Sequence, residues 1–162
     1  MTTYMNTSHY RNKLTIIRGL PGSGKSTLGR TLARQSGSIF IEPDMFCIHG
    51  GDYHYTAKQY EDATRRALHL LHNAQCDCIY ADVLPTMDDV MRVYNSFFFG
   101  SYGQGTADEL RIITLKITVE ESLAKNVHHV AECDIRQMAA KWEPVLSEEV
   151  TNVSECLIYE EI

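Results

Sequence analysis

The sequence predicts a single α/β domain in three layers, built on a central parallel sheet of about five strands. Three observations lead there. Short apolar, β-branched runs alternate with helical periodicities along the chain, and no internal repeat or low-complexity linker interrupts them. A length of 162 residues, 44% hydrophobic and 22% charged, suits one core rather than two. Residues 13–162 are expected to form the domain, after a flexible segment at 1–12.

Leu14-Thr15-Ile16-Ile17 is the first strand, apolar enough to be buried on both faces. A helix starts near Lys25, with Leu28, Leu32 and Thr31 facing inward. A strand at 38–41, a long helix at 56–74 and a strand at 77–81 follow. Pro85-Thr86-Met87-Asp88-Asp89 opens a helix running toward Phe97, with the two acids placed to satisfy its N-terminus. The glycine-rich stretch 98–105 reads as an exposed loop. A strand at 111–117, helices at 120–125 and 134–142, and a weak strand at 155–159 complete the order.

Between the first strand and its helix lies Gly19-Leu20-Pro21-Gly22-Ser23-Gly24-Lys25-Ser26-Thr27, a complete G-x-x-x-x-G-K-[ST] phosphate loop. The domain is therefore expected to be a P-loop NTPase. Gly22 and Gly24 let successive N–H groups turn into one concavity, and the helix start adds positive potential. Gly22, Ser23, Gly24, Lys25, Ser26 and Thr27 form the expected ATP cradle. In it Lys25 reaches the β- and γ-phosphates, Ser26 ligates Mg²⁺, and Thr27 supports the α-phosphate.

Ligands of open parallel sheets sit beyond the carboxyl ends of the strands. That rule puts Glu42, Pro43 and Asp44 on the same rim as the loop, with Asp82 after the third strand. Asp44 is the candidate general base for a hydroxyl acceptor, with helix capping as the alternative reading. Asp82 is the candidate magnesium carboxylate, with a solvated loop acid as its alternative. Tyr53, His54 and Tyr55 are placed to offer an aromatic edge to substrate or to pack in the core.

The formal net charge of −6 speaks against nonspecific wrapping of nucleic acid. Apart from Lys25, the early cations Arg11, Lys13, Arg18, Arg30 and Arg34 read as solvated surface charges, as do the acids Glu148, Glu149, Glu155, Glu160 and Glu161. Five cysteines form no paired framework, and no apolar run approaches the ~20 residues that span a bilayer. These features predict a cytoplasmic protein with reduced thiols and no membrane partner.

The runs 18–28, 42–46 and 51–55, together with Asn126-Val127-His128-His129-Val130-Ala131 and Ile135-Arg136-Gln137-Met138, resemble the polynucleotide-kinase-like branch of small P-loop kinases and ATPases. The resemblance implies a small helical lid and an ATP-dependent kinase in which Asp44 activates a hydroxyl. The acceptor it implies is the 5′-hydroxyl of a polynucleotide, a hydroxymethylated base in DNA, or a nucleotide-like molecule. The chain departs from that branch in three places. Cys47 stands where an Arg can grip substrate phosphate, Asp82-Val83-Leu84 keeps only the Asp of the strand-end motif, and the lid offers Lys125, His128, His129 and Arg136. Lys125 or Arg136 would supply the lid cation, and Arg136 is the one grouped with the catalytic residues. Two other readings stay open: a small-metabolite or nucleoside kinase, and a nucleotide-binding switch with little ATPase activity.

Overall fold

Strand β1 (Lys13–Gly19) forms the centre of the fold because its apolar residues leave no face for water: Leu14, Ile16 and Ile17 are all 0% exposed. The structure is a computed structural model and describes residues 13–49, 52–53, 56–99, 109–145 and 157–162. Around β1 the strands β2 (Ile39–Ile41), β5 (Cys78–Asp82), β6 (Glu109–Leu115) and β7 (Leu157–Glu161) form one sheet in the order β2-β5-β1-β6-β7, every neighbouring pair parallel. A two-stranded antiparallel ribbon, β3 (Ile48–His49) with β4 (Asp52–Tyr53), stands apart from it.

Parallel neighbours require crossovers, and the helices of those crossovers cover the two faces. Helix α1 (Lys25–Ser36) lays Leu28, Leu32 and Ala33 over Ile17, Ile79, Ala81 and Ile113. On the other face α2 (Ala57–Asn73) and α3 (Met87–Phe98) bury Ala67, Leu71, Val90, Val93 and Phe97 against Leu14, Ile16, Tyr80 and Ile112. Each fully buried Leu, Ile or Val side chain contributes about 1.5–3 kcal/mol, so this larger second face holds most of the core. The predicted single α/β domain with a five-stranded parallel sheet in three layers is the observed architecture. No helix among the described residues is long and apolar enough to cross a membrane.

Local chemistry fixes the helix starts. Thr56 caps α2 by accepting from Gln59 N–H at 3.2 Å. Thr86 with Asp89 and Thr118 with Glu121 make reciprocal capping boxes on α3 and on α4 (Val119–Ala124), so Asp89 satisfies its helix as expected. Helix α5 (Glu132–Ala140) follows α4 after a short connection.

Several expectations need correction. Arg18 is not a solvated charge: it is 0% exposed. The segments that follow β5 and the helix at 132–140 pack over it. It donates instead from Nε to Leu84 O (2.9 Å) and from one terminal nitrogen to Pro85 O (3.0 Å) and Glu143 O (2.9 Å), with Trp142 stacked 4.2 Å from its guanidinium. Phe98 is the last residue of α3 and is buried against Tyr94 and Phe97, not exposed in a loop. β6 begins and ends two residues earlier than the apolar run suggests, because its register follows β1, from Lys13 beside Glu109 to Gly19 beside Leu115; Arg111 within it pairs with Glu160 of β7 at 2.9 Å. Glu161 likewise pairs with Lys116. Residues 1–12, His54, Tyr55, the glycine-rich stretch from 100 onward, and Glu148, Glu149 and Glu155 lie outside the described residues, as do the side chain of Tyr53 and Cys156.

Candidate active site

The phosphate loop runs from the end of β1 into α1. Its backbone is turned by Gly22 (φ 79°) and Gly24 (φ 92°), both in the left-handed region that disfavours a Cβ. At Gly22 a Cβ would also stand 2.8 Å from both the Cβ and the carbonyl oxygen of Lys125. Gly24 caps α1 without a side-chain acceptor, and no acid occupies the first turn. The N–H groups of that turn are thus left to an anion. The Ser23 hydroxyl is buried without a hydrogen-bond partner among the described residues, and its N–H donates to Leu20 O at 3.1 Å.

Above the loop opens a cleft of about 470 Å³, within the ~300–1,000 Å³ usual for small-ligand sites. Its floor is Gly22, Gly24, Lys25, Ser26 and Thr27; one wall is Glu42, Asp44 and Met45; the other is Lys125, Val127, His128 and Val130. Ser122, wholly buried in α4, donates its hydroxyl to Pro21 O at 2.6 Å and so ties the second wall to the floor. Asp44 lies on a single 3₁₀ turn (Pro43–Phe46) that follows β2 immediately. Its carboxylate stands 3.9 Å from His128 Nε2 on the opposite wall.

The charges converge on Lys25. Its ammonium donates to Leu20 O at 3.0 Å; burial lowers its pKa, while Asp82, Asp44 and Glu42 hold the cation in place. Glu42, 5% exposed, accepts from the Ser26 hydroxyl at 2.6 Å and from Arg30 at 3.3 Å. Burial raises the Glu42 pKa. The strand-end rule put Glu42 on the rim but assigned it no role, and no local motif announces its contact with Ser26. Asp82 is buried at the end of β5, and its Oδ1 accepts from Val83 N–H (2.7 Å) and from the Tyr60 hydroxyl. Burial pushes the Asp82 carboxyl up to about 6. It borders a neighbouring pocket rather than the cleft itself.

Arg136, the expected lid cation, is not brought to the cleft. Four residues after Glu132 on α5, it pairs with that carboxylate at 2.7 Å on the exposed side of the helix. Lys125, the other candidate, and His128 line the second wall of the cleft. No group of three or more His, Cys, Asp or Glu among the described residues is arranged to cage a metal. The oxygen donors of Ser26 and Glu42, joined at 2.6 Å, nonetheless suit Mg²⁺, which is held through one or two carboxylates and the substrate phosphates. The uncapped helix start and the cradle at Gly22 suit the phosphates themselves.

The family model described as "AAA domain" matches residues 14–80, less than half of the chain. No curated protein matches the sequence significantly. Among solved structures, a gluconokinase from Sinorhizobium meliloti 1021 superposes with a TM-score of 0.59 at 13% identity, over 94% of this chain and 84% of that one. A sugar kinase from Janibacter sp. HTCC2649 gives 0.57 at 14%, over 93% and 85%. Chaetomium thermophilum Kti12 in complex with ADP-AlF3 gives 0.54 at 16%, over 90% and 87%. At these identities the likeness establishes a shared fold.

Proposed function

We propose that this protein is an ATP-dependent phosphotransferase that moves the γ-phosphoryl group to a hydroxyl of a small molecule. The observation that carries the reading is the convergence of Lys25, Ser26 and Asp44 on one cleft whose floor is a complete phosphate loop. The loop N–H groups and Lys25 bind and orient the triphosphate. Asp44 aligns the acceptor hydroxyl and takes its proton at a carboxylate oxygen as the new O–P bond forms and the bond to the bridging oxygen of ADP breaks. Lys125 and His128 face the loop from the second wall, beside the buried Val130. When bound, Mg²⁺ would be held by Ser26 with Glu42 and Asp82 nearby, and it would neutralise charge on the β- and γ-phosphates.

Support for a small acceptor comes from the sugar-kinase neighbours in fold, from the small-ligand size of the cleft, and from the acidic net charge. A nucleic acid hydroxyl is the second reading, favoured by the sequence resemblance around Asp44. Transfer from γ-labelled ATP to polyols, nucleosides, hydroxyl-ended oligonucleotides and hydroxymethylated DNA decides between them. A labelled small molecule with inert polymers is the expected result. Asp44→Asn should lower transfer by about 10²–10⁴-fold while ATP·Mg²⁺ binding persists, whereas Lys25→Ala should lose that binding. No labelled acceptor of any class, with nucleotide bound, would turn the reading toward a switch protein.

A further inference from the structure

A second pocket, of about 200 Å³, opens at the carboxyl end of β5 between α2 and α3. It shares Tyr60, Val83 and Met138 with the phosphate cleft, so the two spaces adjoin. Tyr80 lines it, is 0% exposed, and has a buried hydroxyl without a hydrogen-bond partner among the described residues. Buried polar groups are rarely left so. Burial raises the Tyr80 pKa, which keeps the phenol neutral and able both to donate and to accept.

The remaining polar groups sort by whether they are already engaged. Asp89 is used by its helix cap, accepting from Thr86 N–H and hydroxyl. Both hydrogen bonds to Asp82 fall on Oδ1, which leaves Oδ2 for another donor. Arg92 and Lys141 stand on the pocket lining and make no ion pair among the described residues. The pocket therefore offers two uncommitted cations, one unpartnered phenol and one carboxylate oxygen. Its volume suits a compact molecule.

We propose that this pocket receives the phosphoryl acceptor, and that the acceptor is a small polyol bearing one anionic group. Arg92 and Lys141 take its carboxylate or phosphate, Tyr80 and Asp82 take hydroxyls, and the reacting hydroxyl extends past Tyr60 to Asp44. The proposal rests on the kinase reading and names its substrate class.

The test is calorimetric binding to the full chain with ADP·Mg²⁺ present, alongside transfer from γ-labelled ATP. Glycerate, threonate, gluconate and glycerol phosphate are compared with glycerol, threitol, sorbitol and an oligonucleotide. At least one anionic polyol should bind, at least about tenfold tighter than its neutral counterpart. The double variant Arg92→Gln/Lys141→Gln should weaken it by about tenfold to a hundredfold and erase the preference, with ADP·Mg²⁺ affinity unchanged. Tyr80→Phe should weaken neutral and anionic ligands alike. The carboxylate and phosphate probes separate the two sources of negative charge. Anionic binding without transfer would sustain the pocket and count against the kinase reading. Transfer to neutral polyols or to the oligonucleotide with no anion preference, no binding of any anionic probe, or binding untouched in the double variant would overturn the proposal.

Discussion

Replacing Asp82 by Asn should stabilise the protein near neutral pH, and the gain should fade as the solution is acidified. Asp82 is buried among Tyr60, Val83 and the end of β5, and its carboxyl is raised from 3.8 to about 6 chiefly by loss of water. A carboxyl raised on folding contributes most stability below its unfolded pKa, and that contribution disappears as pH rises through the folded value. The gap corresponds to roughly 3 kcal/mol, of which about 2 kcal/mol falls between about pH 4.5 and about pH 7.5. Asn keeps an oxygen for the Tyr60 hydroxyl and the Val83 N–H but carries no charge to desolvate. Urea unfolding of both proteins across that range, without nucleotide or magnesium, measures the difference. Glu42, also raised by burial, is common to both proteins and drops out of it. An advantage for the variant that does not grow with pH, or a variant that is less stable at about pH 7.5 than at about pH 4.5 relative to wild type, would refute the reasoning.

Arg18→Leu should cost about 3–5 kcal/mol in chemical denaturation, because the carbonyls of Leu84, Pro85 and Glu143 lose a buried donor together. Gly22→Ala should lower stability by about 1–3 kcal/mol, since φ 79° is strained for Ala and its methyl meets Lys125; calorimetry should also show ATP·Mg²⁺ affinity reduced at least about tenfold. Glu42→Gln removes a buried charge while leaving an acceptor for Ser26. Its thermal midpoint should hold or rise, and a magnesium titration should show weaker nucleotide binding by about tenfold.

The parts of this molecule legible in the sequence are those set by spacing along the chain. The phosphate loop is a contiguous motif, the strands announce themselves by β-branched runs, and Asp44 follows from its place one step beyond a strand. What stayed hidden depends on which strands become neighbours. Arg18 looks like any surface cation until the order β2-β5-β1-β6-β7 encloses it. Glu42 meets Ser26 only because β2 ends beside the first turn of α1. Helical phase keeps Arg136 off the cleft: a glutamate one turn earlier captures it on the outer side, while residues of the preceding connection reach the cleft.

The central position of β1 also shapes how the chain acquires its structure. It is the earliest of the described strands, yet Leu14 pairs with Cys78 on one side and Leu110 on the other. During synthesis, then, the central strand of the sheet emerges long before either flank exists to shield it. Fragments ending ahead of β6 carry an open, hydrophobic strand edge, a template for self-association. The same topology that sets the nucleotide loop in the middle of the sheet makes productive assembly wait for most of the polypeptide.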